Sequence, residues 1–141
     1  MGVFKSFEEI ISWQKSRIFN KRIYEITENI GFKKDFDLVR QIRRASISIS
    51  SNIAEGFERN TDKEFIYFLY IAKASAGEVR SQLYLALDLN YMSKKEFDEL
   101  YLDVSDISKL ISGFIKYLEN SQKSLKSRDI KTFDIKTLRL K

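Results

Sequence analysis

LVRQIRRASISISSNI, residues 38–53, sets Leu38, Ile42, Ala45, Ile49 and Ile53 at spacings of four, three, four and four. A helix turns once in about 3.6 residues, so this spacing returns every one of those side chains to the same face. Arg40, Arg43 and Arg44 fall on the other side. A helix that is apolar on one face and cationic on the other lies on the outside of a helical core.

The neighbouring stretches repeat the pattern. A first helix is expected from Phe7 to Ile30, stopped by Gly31, with Ile11, Ile18, Phe19, Ile23, Ile26 and Ile30 facing inward. The quoted segment is the second helix and starts near Asp35 or Asp37. The third is expected from Asp62 to Leu89, with Asn90 as a left-handed cap and a core stripe of Phe65, Phe68, Leu69, Ala72, Ala76, Val79, Leu83 and Leu87. The fourth is expected from Lys94 to Ser121, with Phe97, Tyr101, Val104, Ile107, Ile111, Ile115 and Leu118 on one face. Ser6 with Glu9, Thr61 with Glu64, and Ser93 with Glu96 each read as a capping box, in which hydroxyl and carboxylate satisfy each other's orphan N–H groups. Short connections between long helices favour antiparallel neighbours. The expected fold is all-α, an up-down-up-down four-helix bundle over residues 1–122. Residues 123–141 form a separate basic tail that is expected to be flexible. Its near-repeat, Asp129–Phe133 then Asp134–Leu138, follows no helical period.

Composition narrows the function. The 141 residues contain no proline and five glycines, which permits long helices and argues against a turn-rich β fold. Absence of cysteine rules out disulfides and thiolate metal sites. Absence of histidine removes the usual general base and the commonest metal ligand. Asp98, Glu99, Asp103 and Asp106 then read as a solvated acidic face rather than a metal site. No phosphate-binding glycine loop or nucleophile elbow is present. The chain is therefore expected to be non-catalytic, without metal or cofactor. The longest apolar run, Phe65 to Ala72, is too short for a bilayer. With no signal-peptide pattern, the expected location is cytoplasmic. The formal charge is +5, and residues 123–141, with seven Lys or Arg against two Asp, account for all of it. The bundle itself is neutral.

Three surfaces stand out. Arg40, Arg43 and Arg44, extended by Lys15, Lys21 and Arg22, form a candidate site for the phosphates of RNA or DNA, to which Lys126 and Arg128 of the tail would add. The competing reading is a solvated face of ion pairs using Glu25, Glu28 or Glu55. Tyr67, Tyr70, Ala74, Gly77, Ser81 and Leu85 give the third helix a second apolar face, the mark of self-association. Asn52, Glu55, Gly56 and Arg59 read as structural. Asn52 and Glu55 are expected to be partly buried and bonded to neighbouring helices, with Glu55 paired to Arg59 or to Arg43 of a neighbour. Gly56 is expected to allow close helix approach or to end the helix.

Gln41-Ile42-Arg43-Arg44-Ala45-Ser46-Ile47-Ser48, Asn52-Ile53-Ala54-Glu55-Gly56, Arg59 and Lys63-Glu64-Phe65, with Trp13-Gln14 upstream and Ile71-Ala72-Lys73-Ala74-Ser75 and Glu78 downstream, resemble the 23S ribosomal RNA intervening-sequence proteins. That family includes the accessory variability proteins of diversity-generating retroelements. The resemblance covers roughly Phe7 to Leu118. It implies a bacterial protein, a ring-shaped pentamer of four-helix protomers and, in the retroelement branch, binding to nucleic acid and a reverse transcriptase. Together these readings describe a non-catalytic oligomeric scaffold for nucleic acid. The alternative is a protein-interaction module that recruits a partner such as a reverse transcriptase.

Overall fold

The carboxylate of Asp35 accepts the Leu38 backbone N–H at 3.1 Å, satisfying one of the orphan donors at a helix start. In the computed structural model, which describes residues 4–123, that helix is α3 (Phe36–Phe57). It follows α1 (Ile11–Ile26) and a single turn, α2 (Ile30–Lys33), and precedes α4 (Asp62–Asp88) and α5 (Lys94–Lys123). Thr61 caps α4 by accepting the Glu64 N–H at 3.2 Å. Ser93 and Glu96 form the complete reciprocal box at the start of α5, with bonds of 3.1 and 2.8 Å. Between α4 and α5, Asn90 takes the left-handed φ of 60°.

The four long helices pack in the cycle α1–α3–α4–α5. Neighbours run antiparallel: Asn20 of α1 and its C-cap Thr27 meet Ser50 and Arg43 of α3, and Ser48 and Gly56 of α3 meet Ser75 and Phe65 of α4. Phe65 and Tyr84 of α4 meet Phe114 and Phe97 of α5. The fold is the predicted up-down-up-down four-helix bundle, with no strand among the described residues.

The core matches the apolar stripes on three helices. Leu38, Ile42, Ala45, Ile49 and Ile53 are all buried, as are Phe65, Leu69, Ala72, Ala76, Val79 and Leu83. Phe68 and Leu87 sit half-buried at the edge of their stripe. On α5, Tyr101 is half-buried and the rest of its stripe is buried. Leu100, Leu110, Phe114 and Tyr117 widen that face.

The first helix differs from expectation at both ends and in its rotation. The expected capping box does not form: Ser6 makes no side-chain cap bond and Glu9 accepts the Lys5 N–H at 2.8 Å instead, so that only a 3-10 turn, Phe7–Glu9, precedes the extended Ile10. At the other end the Thr27 hydroxyl donates to the carbonyls of Ile23 and Tyr24, in competition with helix continuation. Gly31 therefore lies inside α2 rather than ending a long helix. The inward positions are Ser12, Ser16, Phe19, Ile23 and Ile26, again spaced four and three. Ser16 is satisfied internally, donating to the Ser12 carbonyl at 2.7 Å, and so can occupy a core position. Consequently Ile11 is half-buried, while Ile18 and Ile30 are 64% and 75% exposed.

Candidate nucleic-acid interface

A buried polar seam sets how α1 is turned against α3. Ser46 donates to the Asn20 side-chain oxygen at 2.7 Å, and the Asn20 amide donates to Ser50 at 3.0 Å. One turn further along α1, this rotation brings Tyr24 to the outer surface. There an open groove of about 700 Å³ is lined by Tyr24, Phe36, Val39, Arg40, Arg43, Arg44, Ile47 and Ser48. None of the eight is acidic.

The three arginines of this groove have different surroundings. Arg43 is held in place: its Nε donates to the Thr27 hydroxyl at 2.9 Å, a terminal nitrogen pairs with Glu28 at 3.0 Å, and the guanidinium lies 4.2 Å over the Tyr24 ring. Arg40 is largely exposed and only 4.0 Å from Asp37, itself exposed, so that pair is weak. Arg44 is exposed and has no ion-pair partner among the described residues. Lys21, also exposed, precedes Tyr24 by three residues on the same face of α1.

Lys15 and Arg22 do not extend this patch. They lie on the opposite flank of α1, against α5. Arg22 bonds Asp103 at 2.6 Å and Glu99 at 3.4 Å, and Lys15 borders a small cleft with Asp103 and Asp106. Asp98 is paired with Lys94 at 2.5 Å. The acidic face is thus partly neutralised by its neighbours. No group of three or more Asp or Glu among the described residues is placed to hold a metal ion. Lys126 and Arg128 lie outside the described residues.

The 52–59 segment meets its expectation in part: Asn52 is half-buried, Glu55 pairs with Arg59 and Gly56 lets two helices approach, but neither Asn52 nor Glu55 bonds to a neighbouring helix. Asn52 bonds back to Ser48 of its own helix, through both carbonyl and hydroxyl, and it is Ser75 of α4 that reaches across to the Ser48 hydroxyl at 2.9 Å. Glu55 is exposed, not buried, and meets Arg59 at 3.4 Å, whose guanidinium covers the Phe68 ring at 4.8 Å. At Gly56, α3 and α4 are in close contact: a Cβ there would lie 2.8 Å from both Phe65 Cδ1 and Phe68 Cβ.

On α4, the side turned away from the core carries Tyr67, Tyr70, Ala74, Ser81 and Leu85 exposed and Gly77 half-buried. Tyr67 is 63% exposed. Lys73 and Glu78 border this band. At the end of the bundle nearest the groove, the Tyr91 hydroxyl donates to Asp35 at 2.9 Å, and that bond holds the Tyr91 pKa above its ordinary value.

Tyr24, Phe36 and Ile47 were not singled out from sequence as site residues. Phe36 is the first residue of α3 and is 74% exposed. Adjacent to a core stripe, an aromatic residue reads as core, and only its place ahead of Leu38 in the helical period marks it as outward.

A family model described as 23S rRNA-intervening sequence protein matches residues 8–113. Among solved structures, the chain is similar to the crystal structure of a protein of unknown function from the S23 ribosomal protein family of Bacteroides thetaiotaomicron. Identity is 30% and the TM-score 0.70, and the match covers 75% of this chain and 99% of that one. No curated protein matches the chain.

Proposed function

The chain belongs to the 23S rRNA-intervening sequence protein family, and for this member we propose a non-catalytic, homo-oligomeric scaffold that binds nucleic acid, as RNA or within an RNA–protein complex, across the groove between α1 and α3. The observation that carries this reading is the pairing of the exposed cations Arg40 and Arg44 with the exposed Phe36 ring in one groove, none of whose eight lining residues is acidic. Guanidinium groups suit phosphates and an aromatic ring suits bases. Assembly is supported by the tyrosines and small residues on the outer face of α4. A ring of copies would repeat the groove about an axis and strengthen its field. Neither the family description nor the structural neighbour names a catalytic activity. RNA as ligand puts the work in the cytoplasm, and among the described residues no helix is long and apolar enough to cross a membrane.

The test is a gel shift on the Arg40→Glu, Arg44→Glu double variant. At least about a tenfold loss of RNA affinity is expected, with the protein's mass in solution unchanged. Unchanged affinity would remove this groove as the site. The α4 face favours a second reading, a protein-interaction module that recruits a partner such as a reverse transcriptase without touching nucleic acid. A partner retained in pull-downs after nuclease treatment would support that reading over the first.

A further inference from the structure

Resting on that reading of the groove, we propose that Phe36 is a stacking platform for an unpaired base, so that the groove takes single-stranded RNA in preference to duplex. Phe36 is 74% exposed, and among the described large hydrophobic residues only Ile30, at 75%, is more so. Its ring has no aromatic partner among the described residues.

Phe36, Arg40 and Arg44 follow at four-residue spacing along one outward row of α3. Successive members are about 6 Å apart along the axis, the reach of one extended nucleotide. A base laid on Phe36 therefore leaves the phosphate on one side of it opposite Arg40 and the next phosphate along the strand opposite Arg44. Tyr24 forms the other wall. One face of its ring is covered by Arg43, which fixes the ring and is itself paired with Glu28. Two carboxylates border the groove: Glu28 is paired with Arg43, and Asp37 is in a solvated contact with Arg40 that a phosphate can displace. In a duplex the bases are stacked on one another and cannot reach Phe36. The arginines attract both forms, but the ring distinguishes them.

The experiment is fluorescence anisotropy with the full chain, using an oligoribonucleotide without secondary structure and the same strand annealed to its complement. Wild type binds the single strand more tightly. Phe36→Ala weakens single-strand binding about tenfold, and leaves duplex affinity and the salt slope unchanged. Phe36→Trp restores single-strand affinity. The exposed position makes both substitutions neutral to folding. Arg40→Glu with Arg44→Glu lowers affinity for both forms and flattens the salt slope. If Phe36→Ala binds the single strand as wild type does, weakens both forms equally, or if wild type holds the duplex equally well, the stacking role is overturned while the arginine site stands. No RNA binding by wild type overturns both.

Discussion

α3 and α4 share the seam that Gly56 closes, yet their outward faces have different chemistry. The α3 face, with Tyr24 of α1 beside it, carries Arg40, Arg44 and the bare ring of Phe36. The α4 face carries Tyr67, Tyr70, Ala74, Ser81 and Leu85, with Lys73 and Glu78 at its borders and the Arg80 guanidinium reaching over Gly77. Cations next to an exposed ring match a strand of phosphates and bases. Tyrosines among small side chains match another protein surface, because they allow close approach and keep a polar end for the wet rim. The contrast suggests a division of labour in which one face holds the ligand and the other holds the assembly together.

The largest expected effect removes what the two faces share. Gly56→Val drives a branched side chain into Phe65 and Phe68, where even a Cβ lies at 2.8 Å from each. A loss of about 3 kcal/mol in urea unfolding is expected, with assembly and RNA binding lost together. Full stability would mean that the α3–α4 seam has slack.

Next, Tyr67→Glu with Ala74→Arg places charge in the middle of the α4 face. In the proposed assembly this weakens association by about 2 kcal/mol or more, read by sedimentation velocity, while each protomer keeps its fold. An unchanged sedimentation coefficient would exclude this face as an interface.

A smaller effect separates two adjacent arginines. Arg43→Ala should cost about 1–2 kcal/mol, because it removes the bond to Thr27 and the contact over Tyr24. Arg44→Ala should stay within about 0.5 kcal/mol and affect RNA binding instead. Equal stability losses would erase the distinction between a wall of the groove and its open cation.

The smallest concerns the caps. Ser93→Ala should lower stability by about 1 kcal/mol, since that box is complete. Ser6→Ala should leave thermal unfolding almost unmoved, since Ser6 makes no cap bond.

The same distinctions explain what could be read in advance. α3, α4 and α5 were legible because their core positions are filled by apolar side chains at helical spacing and their starts by Asp35, Thr61 and Ser93. α1 was misread because two of its five core positions are Ser12 and Ser16, which carry no hydropathy signal, and because Thr27 ends the helix through its own hydroxyl. Of the cations, Arg40, Arg44 and Lys21 are outward as their helical positions imply. Arg43 is paired with Glu28, one of the partners the sequence offered, whereas Arg22 is taken up by Asp103, 81 residues away in sequence and read only as part of a solvated face. Such a distant partner is set by packing, which local pattern does not encode. The α4 face was visible as a second apolar stripe because its residues repeat at the helical period. Phe36 was passed over because one exposed aromatic makes no stripe.

The division of labour between the faces is tested most directly by light scattering of the full chain at micromolar concentration, with and without single-stranded RNA. The account predicts a mass several times the 16.6 kDa of one chain, increased by bound RNA without loss of protomers. A mass of 16.6 kDa without RNA, or an assembly that RNA takes apart, would contradict it.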